Sequence, residues 1–128
     1  MGTQPGGPLA APSTSPVLAS AYQQFNTLDC THYQHNYQER PDQNTYYYDC
    51  VGFTSYTLTQ AAPHAWASVV QATHIGKGFV PTPQRYAAFF QGLNGAATAG
   101  WQSVATAADI QPGDLLAWSP EDNNLDEA

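Results

Sequence analysis

Pro63 puts a hard stop on an apolar stretch that opens at Cys50, and that stop defines the central element of the chain. Proline disfavours helical geometry in the residue before it, so a helix beginning near residue 50 must end before 63. Phe53, Tyr56, Thr57, Leu58 and Ala61 fall at helical spacing inside that interval. Asp49 stands at the N-cap position, where its carboxylate accepts the orphan N–H groups of the first turn. The same periodicity predicts a helix over 17–27, with Val17, Leu18, Ala21, Tyr22 and Phe25 as its stripe. Another is predicted over 84–93, where Tyr86, Phe89, Phe90 and Leu93 share a face and Gly95 follows soon after.

The remaining segments are shorter or polar. His32 to Asn44 is broken by Pro41 and reads as a loop or an irregular hairpin, and Tyr46–Tyr48 is prone to extended structure. Trp101–Ala105 reads as a short extended piece. Pro112 and Gly113 adjoin as a type II turn prefers. Asp114-Leu-Leu-Ala-Trp118 reads as a strand, followed by an acidic loop in which the given chain stops. A strand needs partners and few other segments could supply them, so the domain is expected to continue beyond Ala128. The expected organisation is a leader over 1–16 and one domain over 17–128. The leader holds proline, glycine, serine and threonine without charge; it lacks the basic and apolar regions of a secretory signal.

Composition excludes several functions. Three basic residues against ten acidic ones leave a net charge of −7, a field that repels phosphate and argues against nucleic acid and anionic lipid as partners. No apolar run reaches the roughly 18–20 residues of a membrane span. Two cysteines are too few for a disulfide framework or a four-thiolate zinc site. His32 and His35 lack a convincing third ligand, so no metal or other cofactor is expected.

Chemistry concentrates in Tyr48-Asp-Cys-Val-Gly-Phe-Thr-Ser-Tyr56. A cysteine in the first turn of a helix faces the positive end of the helix dipole, which favours its thiolate. The bland alternative is a small structural thiol at a helix start. Gly52 is costly in a helix and makes sense if something approaches the backbone closely there, such as a substrate chain. Tyr33, Tyr37 and Tyr46–Tyr48 either cover the edge of the core or wall a cleft.

Asp49-Cys-Val-Gly-Phe-Thr-Ser-Tyr56 resembles the D-C-S-G-F-V-x-Y box around the nucleophile of NlpC-type (p-sixty) cysteine peptidases. Asp109-Ile-Gln-Pro-Gly-Asp-Leu-Leu-Ala-Trp118 is similar to the L-x-P-G-D-L segment of the same family. The resemblance implies an α+β, papain-like fold, with N-terminal helices packed on a small antiparallel sheet that includes 114–118. It implies a thiol hydrolase that cuts amide bonds in bacterial cell-wall peptides, secreted or at the cell surface. Cys50 becomes the candidate nucleophile, with Asp49 and Tyr48 the candidate substrate-binding residues. A pairing with Cys30 would block Cys50, so both thiols are expected to be free.

Two features depart from the family pattern. Val51 stands where the family has a serine that helps to bind a substrate amine. The family's general base is a histidine on the strand after the Pro-Gly-Asp segment, whereas no histidine follows His74. That base is expected beyond Ala128, and without it this chain should turn over little. His32, His35, His64 and His74 each read as an exposed or core-edge histidine rather than as the base, although His32 and His35, in a polar loop just before the nucleophile helix, can reach and line its cleft. The alternatives are an inactive binding or structural module of the same fold, or acyl transfer on another substrate.

Overall fold

The computed structural model describes residues 15–93, 97–98 and 100–118. The leader up to position 14 and the acidic segment after Trp118 lie outside the described residues. Pro16 opens the first helix, with Ser15 as its N-cap. The fold is α+β, with four α-helices and a small mixed sheet among the described residues, and its contacts group into two units, Met1–Pro63 and His64–Ala128.

In the first unit, α1 (Pro16–Thr27) starts where Ser15 Oγ accepts the Leu18 N–H at 3.1 Å and Pro16 sits in the first turn, where its missing N–H costs nothing. Strands β1 (Cys30–His32), β2 (Gln38–Arg40) and β3 (Thr45–Tyr47) form a sheet in the order β1-β3-β2. β2 and β3 are antiparallel and are joined through a 3-10 turn at Pro41–Gln43 and a left-handed Asn44. The turn falls at Pro41, inside the 32–44 segment expected to be a loop or an irregular hairpin, but the hairpin's second strand lies beyond that segment, at Thr45–Tyr47. β1 runs parallel to β3, pairing Cys30 with Thr45 and His32 with Tyr47. Helix α2 (Cys50–Ala61) follows β3 directly and packs on α1.

The contact between α1 and α2 is partly polar. Gln24 is the buried residue of α1; its Nε2 donates to Thr57 Oγ1 at 2.9 Å, and its Oε1 accepts the Tyr48 hydroxyl at 2.7 Å. Phe25, which the apolar stripe had pointed inward, is 53% exposed. A glutamine whose amide is bonded at both ends can be buried without the penalty of unmet hydrogen bonds. Tyr46 is buried in β3, with the rings of Tyr48 and Tyr56 about it at 6.1 and 6.0 Å.

The second unit contains α3 (Pro63–Thr73), α4 (Pro83–Leu93) and a short hairpin of β4 (Ala97–Thr98) and β5 (Trp101–Gln102). Trp101 packs against Phe89 and Phe90, with ring centres 5.5 and 5.2 Å away. Its indole N–H donates to the Ala65 carbonyl at 2.8 Å, an oxygen that also accepts the Ser68 hydroxyl. Trp101→Phe keeps the ring packing and loses that donor, so urea denaturation should register a loss of about 0.5–1.5 kcal/mol.

Two expectations are corrected. The sheet beside the Cys50 helix is mixed rather than antiparallel, and it is built from residues 30–47. Asp114–Trp118 belongs to no strand: among the described residues nothing pairs with it, and Leu116 and Trp118 are 67% and 74% exposed. β-Propensity alone does not make a strand, because a strand's stability comes from its neighbours. The turn before it forms as expected: Asp114 N–H bonds to the Gln111 carbonyl at 3.0 Å across Pro112 and a left-handed Gly113.

Candidate active site

The start of α2 is assembled from one local element and one distant loop. Locally, Asp49 takes the N-cap position in extended geometry, and its Oδ1 accepts the Gly52 N–H at 2.7 Å. Phe53 N–H closes the first turn on the Asp49 carbonyl at 2.8 Å. The N–H groups of Cys50 and Val51 stay available, as first-turn donors of a helix do. Cys50 is exposed and free, as is Cys30, whose sulfur lies 3.4 Å from the Tyr47 hydroxyl.

The distant part follows from strand order. β1 and β3 are parallel and end side by side at His32 and Tyr47, while β2 starts opposite Tyr47 at Gln38. The chain between β1 and β2, residues 33–37, must therefore cross the end of β3, where Asp49 and α2 begin. That crossing sets His35 Nδ1 2.6 Å from Asp49 Oδ2 and the Tyr37 hydroxyl 2.9 Å from Asp49 Oδ1. The Asp49 side chain is only 7% exposed, whereas that of His35 is 80% exposed.

Burial works against the charge on Asp49, but the bonds from Gly52, His35 and Tyr37 outweigh it and hold the carboxyl below its ordinary value. Tyr37 moves the other way. Burial, then the hydrogen bond and the charge of Asp49, push its phenol well above the usual tyrosine range. Glu39, half-buried on β2, is also raised by burial.

Gly52 has a structural reason that its sequence context did not reveal. A Cβ there would lie 2.7 Å from the Tyr37 ring and 2.9 Å from Tyr48 Cβ. The close approach is made by Tyr37, which lies over the first turn and reaches Asp49. Tyr48 donates its hydroxyl to Gln24 on α1, meets Phe53 of α2 edge-on at 5.4 Å and lies beside the Tyr46 ring of β3. Of the candidate residues, Asp49 is bonded to His35 and Tyr37 and Cys50 follows it in the chain; Tyr37 is the member whose role the sequence left undecided.

The other histidines are held elsewhere. His32 sits on β1 with its ring edge-on to Tyr47, His64 lies in the first turn of α3, and His74 follows α3 with φ of 55°. A shallow groove of the second unit, lined by Ala72, Thr73, Arg85, Ala88, Phe89 and Leu93, contains none of the site residues. Among the described residues no group of three or more histidine, cysteine or acidic side chains could hold a metal. No described helix is long and apolar enough to cross a membrane. Comparison with protein-family models, curated proteins and solved structures finds no match to this chain, so the two boxes that resemble NlpC-type peptidases gain no support from a neighbour.

Proposed function

We propose that this chain is a papain-like thiol hydrolase of NlpC type that attacks amide bonds in peptides, with bacterial cell-wall stem peptides as the substrate class and Cys50 as nucleophile. One observation carries the reading: the exposed thiol of Cys50 opens a helix beside a buried, anchored carboxylate. A thiolate formed there faces the positive end of the helix. The N–H groups of Cys50 and Val51 can donate to the oxyanion that forms when the thiolate adds to a carbonyl.

A stem-peptide aldehyde or vinyl sulfone tests the nucleophile without requiring turnover. Mass spectrometry of the wild-type chain should find the adduct on Cys50 and not on Cys30. Cys50→Ala should abolish labelling and leave the circular dichroism spectrum unchanged. Equal labelling of the two cysteines, or labelling that ignores the peptide portion, would overturn the assignment.

A further inference from the structure

The loop that crosses the end of β3 delivers a histidine to the carboxylate that precedes the thiol. Asp49 accepts from His35 Nδ1 at 2.6 Å. A carboxylate partner assigns the proton of a neutral imidazole to that nitrogen and leaves the lone pair on Nε2, on the far side of the ring. The orienting carboxylate does not drift, because Gly52 N–H and Tyr37 hold its other oxygen at 2.7 and 2.9 Å. Cys50 is the next residue in the chain and the first of α2. The imidazole and its carboxylate thus stand at the residue that immediately precedes the nucleophile in the chain.

Building on the thiol-hydrolase reading of Cys50, we propose that His35 is its proton-transfer partner and that Asp49 is the residue positioning His35. Proton transfer then needs no histidine from the strand after the Pro-Gly-Asp segment. In the structure the thiol and the imidazole are not hydrogen-bonded to each other, a separation that catalytic pairs commonly show until substrate closes it. The thiol proton passes to His35 Nε2 as sulfur bonds to the carbonyl carbon, and the π electrons move to oxygen. Collapse breaks the C–N bond, and the leaving amine takes the proton from Nε2. Water then loses a proton to Nε2 as its oxygen attacks the thioester. The carbon–sulfur bond breaks, the acid leaves, and the proton on Nε2 returns to sulfur.

His35→Gln and His35→Ala in the full chain test this, with Cys30 as an internal reference. Iodoacetamide alkylation, followed residue by residue against pH, should show Cys50 outpacing Cys30 in the wild type. At neutral pH His35→Gln should slow Cys50 by at least about tenfold and leave Cys30 unchanged. Added imidazole should restore the rate to His35→Ala, a rescue that a purely structural role would not give. If His35→Gln leaves the rate and pH profile of Cys50 at wild-type values, the role of His35 is wrong while Cys50 remains a nucleophile. If Cys50 reacts no faster than Cys30 in the wild type, and the peptide electrophile does not select it, the hydrolase reading itself falls and His35 falls with it.

Discussion

Asp49→Ala is expected to lower the unfolding free energy by about 2–4 kcal/mol, the largest stability effect of any single side chain at this site. Loss of an N-cap costs roughly 0.5–2 kcal/mol. Leaving the half-buried Tyr37 hydroxyl without its acceptor adds about 1–3 kcal/mol. Asp49→Asn should cost less, because asparagine caps a helix nearly as well and keeps an oxygen for Gly52 and Tyr37, while it loses the charge and the acceptor that faces His35. Urea denaturation of the two variants separates cap from charge. Equal losses would mean that the charge carries the stabilisation and the cap does not.

The same carboxylate sets an acid limit. Its folded-state value lies below the ordinary one, so its contribution is complete above the unfolded value of about 3.9 and is lost as pH falls through the folded value. Tyr37 is raised instead. Its contribution is complete below the unfolded value of about 10 and is lost as pH rises through the folded one. Thermal melts across pH should therefore show a plateau with two falling limbs. Asp49→Ala should flatten the acid limb, and Tyr37→Phe should reduce the alkaline one, to which Tyr48 and Tyr56, also raised by burial, contribute too.

Gly52→Ala should destabilise by about 1–3 kcal/mol, although alanine is by nature the better helix former by about 0.8–1 kcal/mol. The reason is the space already filled: the new methyl would overlap the Tyr37 ring and Tyr48 Cβ. Relief requires Tyr37 to move off Asp49, so Gly52→Ala should also weaken the part of the alkaline limb that Tyr37 supplies. Combining Gly52→Ala with Tyr37→Ala should cost less than the sum of the two changes, because both disturb one contact. A stabilising Gly52→Ala would mean that Tyr37 yields freely and does not clamp the site.

Much of the helical framework was legible. The bounds of α1, α2 and α4 follow within a residue or two from periodicity, from Asp49 as a cap and from Pro63 as a stop. α3 is not legible from Pro63 taken as the end of α2. Proline is equally suited to the first turn of the next helix, and Ala65 and Val69 are buried one turn apart. The three-stranded sheet was hidden for another reason. Its strands are three residues long, too short for an alternating pattern to declare itself, and β2 is Gln-Glu-Arg. Asp114–Trp118 shows the reverse error, in which a strand-like composition stands without a partner.

The sequence alone determined what neighbours a few residues apart can settle: the Asp49 cap, the place of Cys50 in the first turn, and the Pro112–Gly113 turn. Each depends on backbone donors and acceptors within reach of a local side chain. Only the tertiary structure decided which side chains meet at Asp49. His35 and Tyr37 lie fourteen and twelve residues away. Nothing in their spacing distinguishes them from Tyr33 or His32. They arrive because β1 pairs parallel to β3 and the chain must then cross the end of β3 to reach β2. Strand order is a long-range property, set by which pairings offset the entropy of closing the intervening chain. Local propensity carries no record of it.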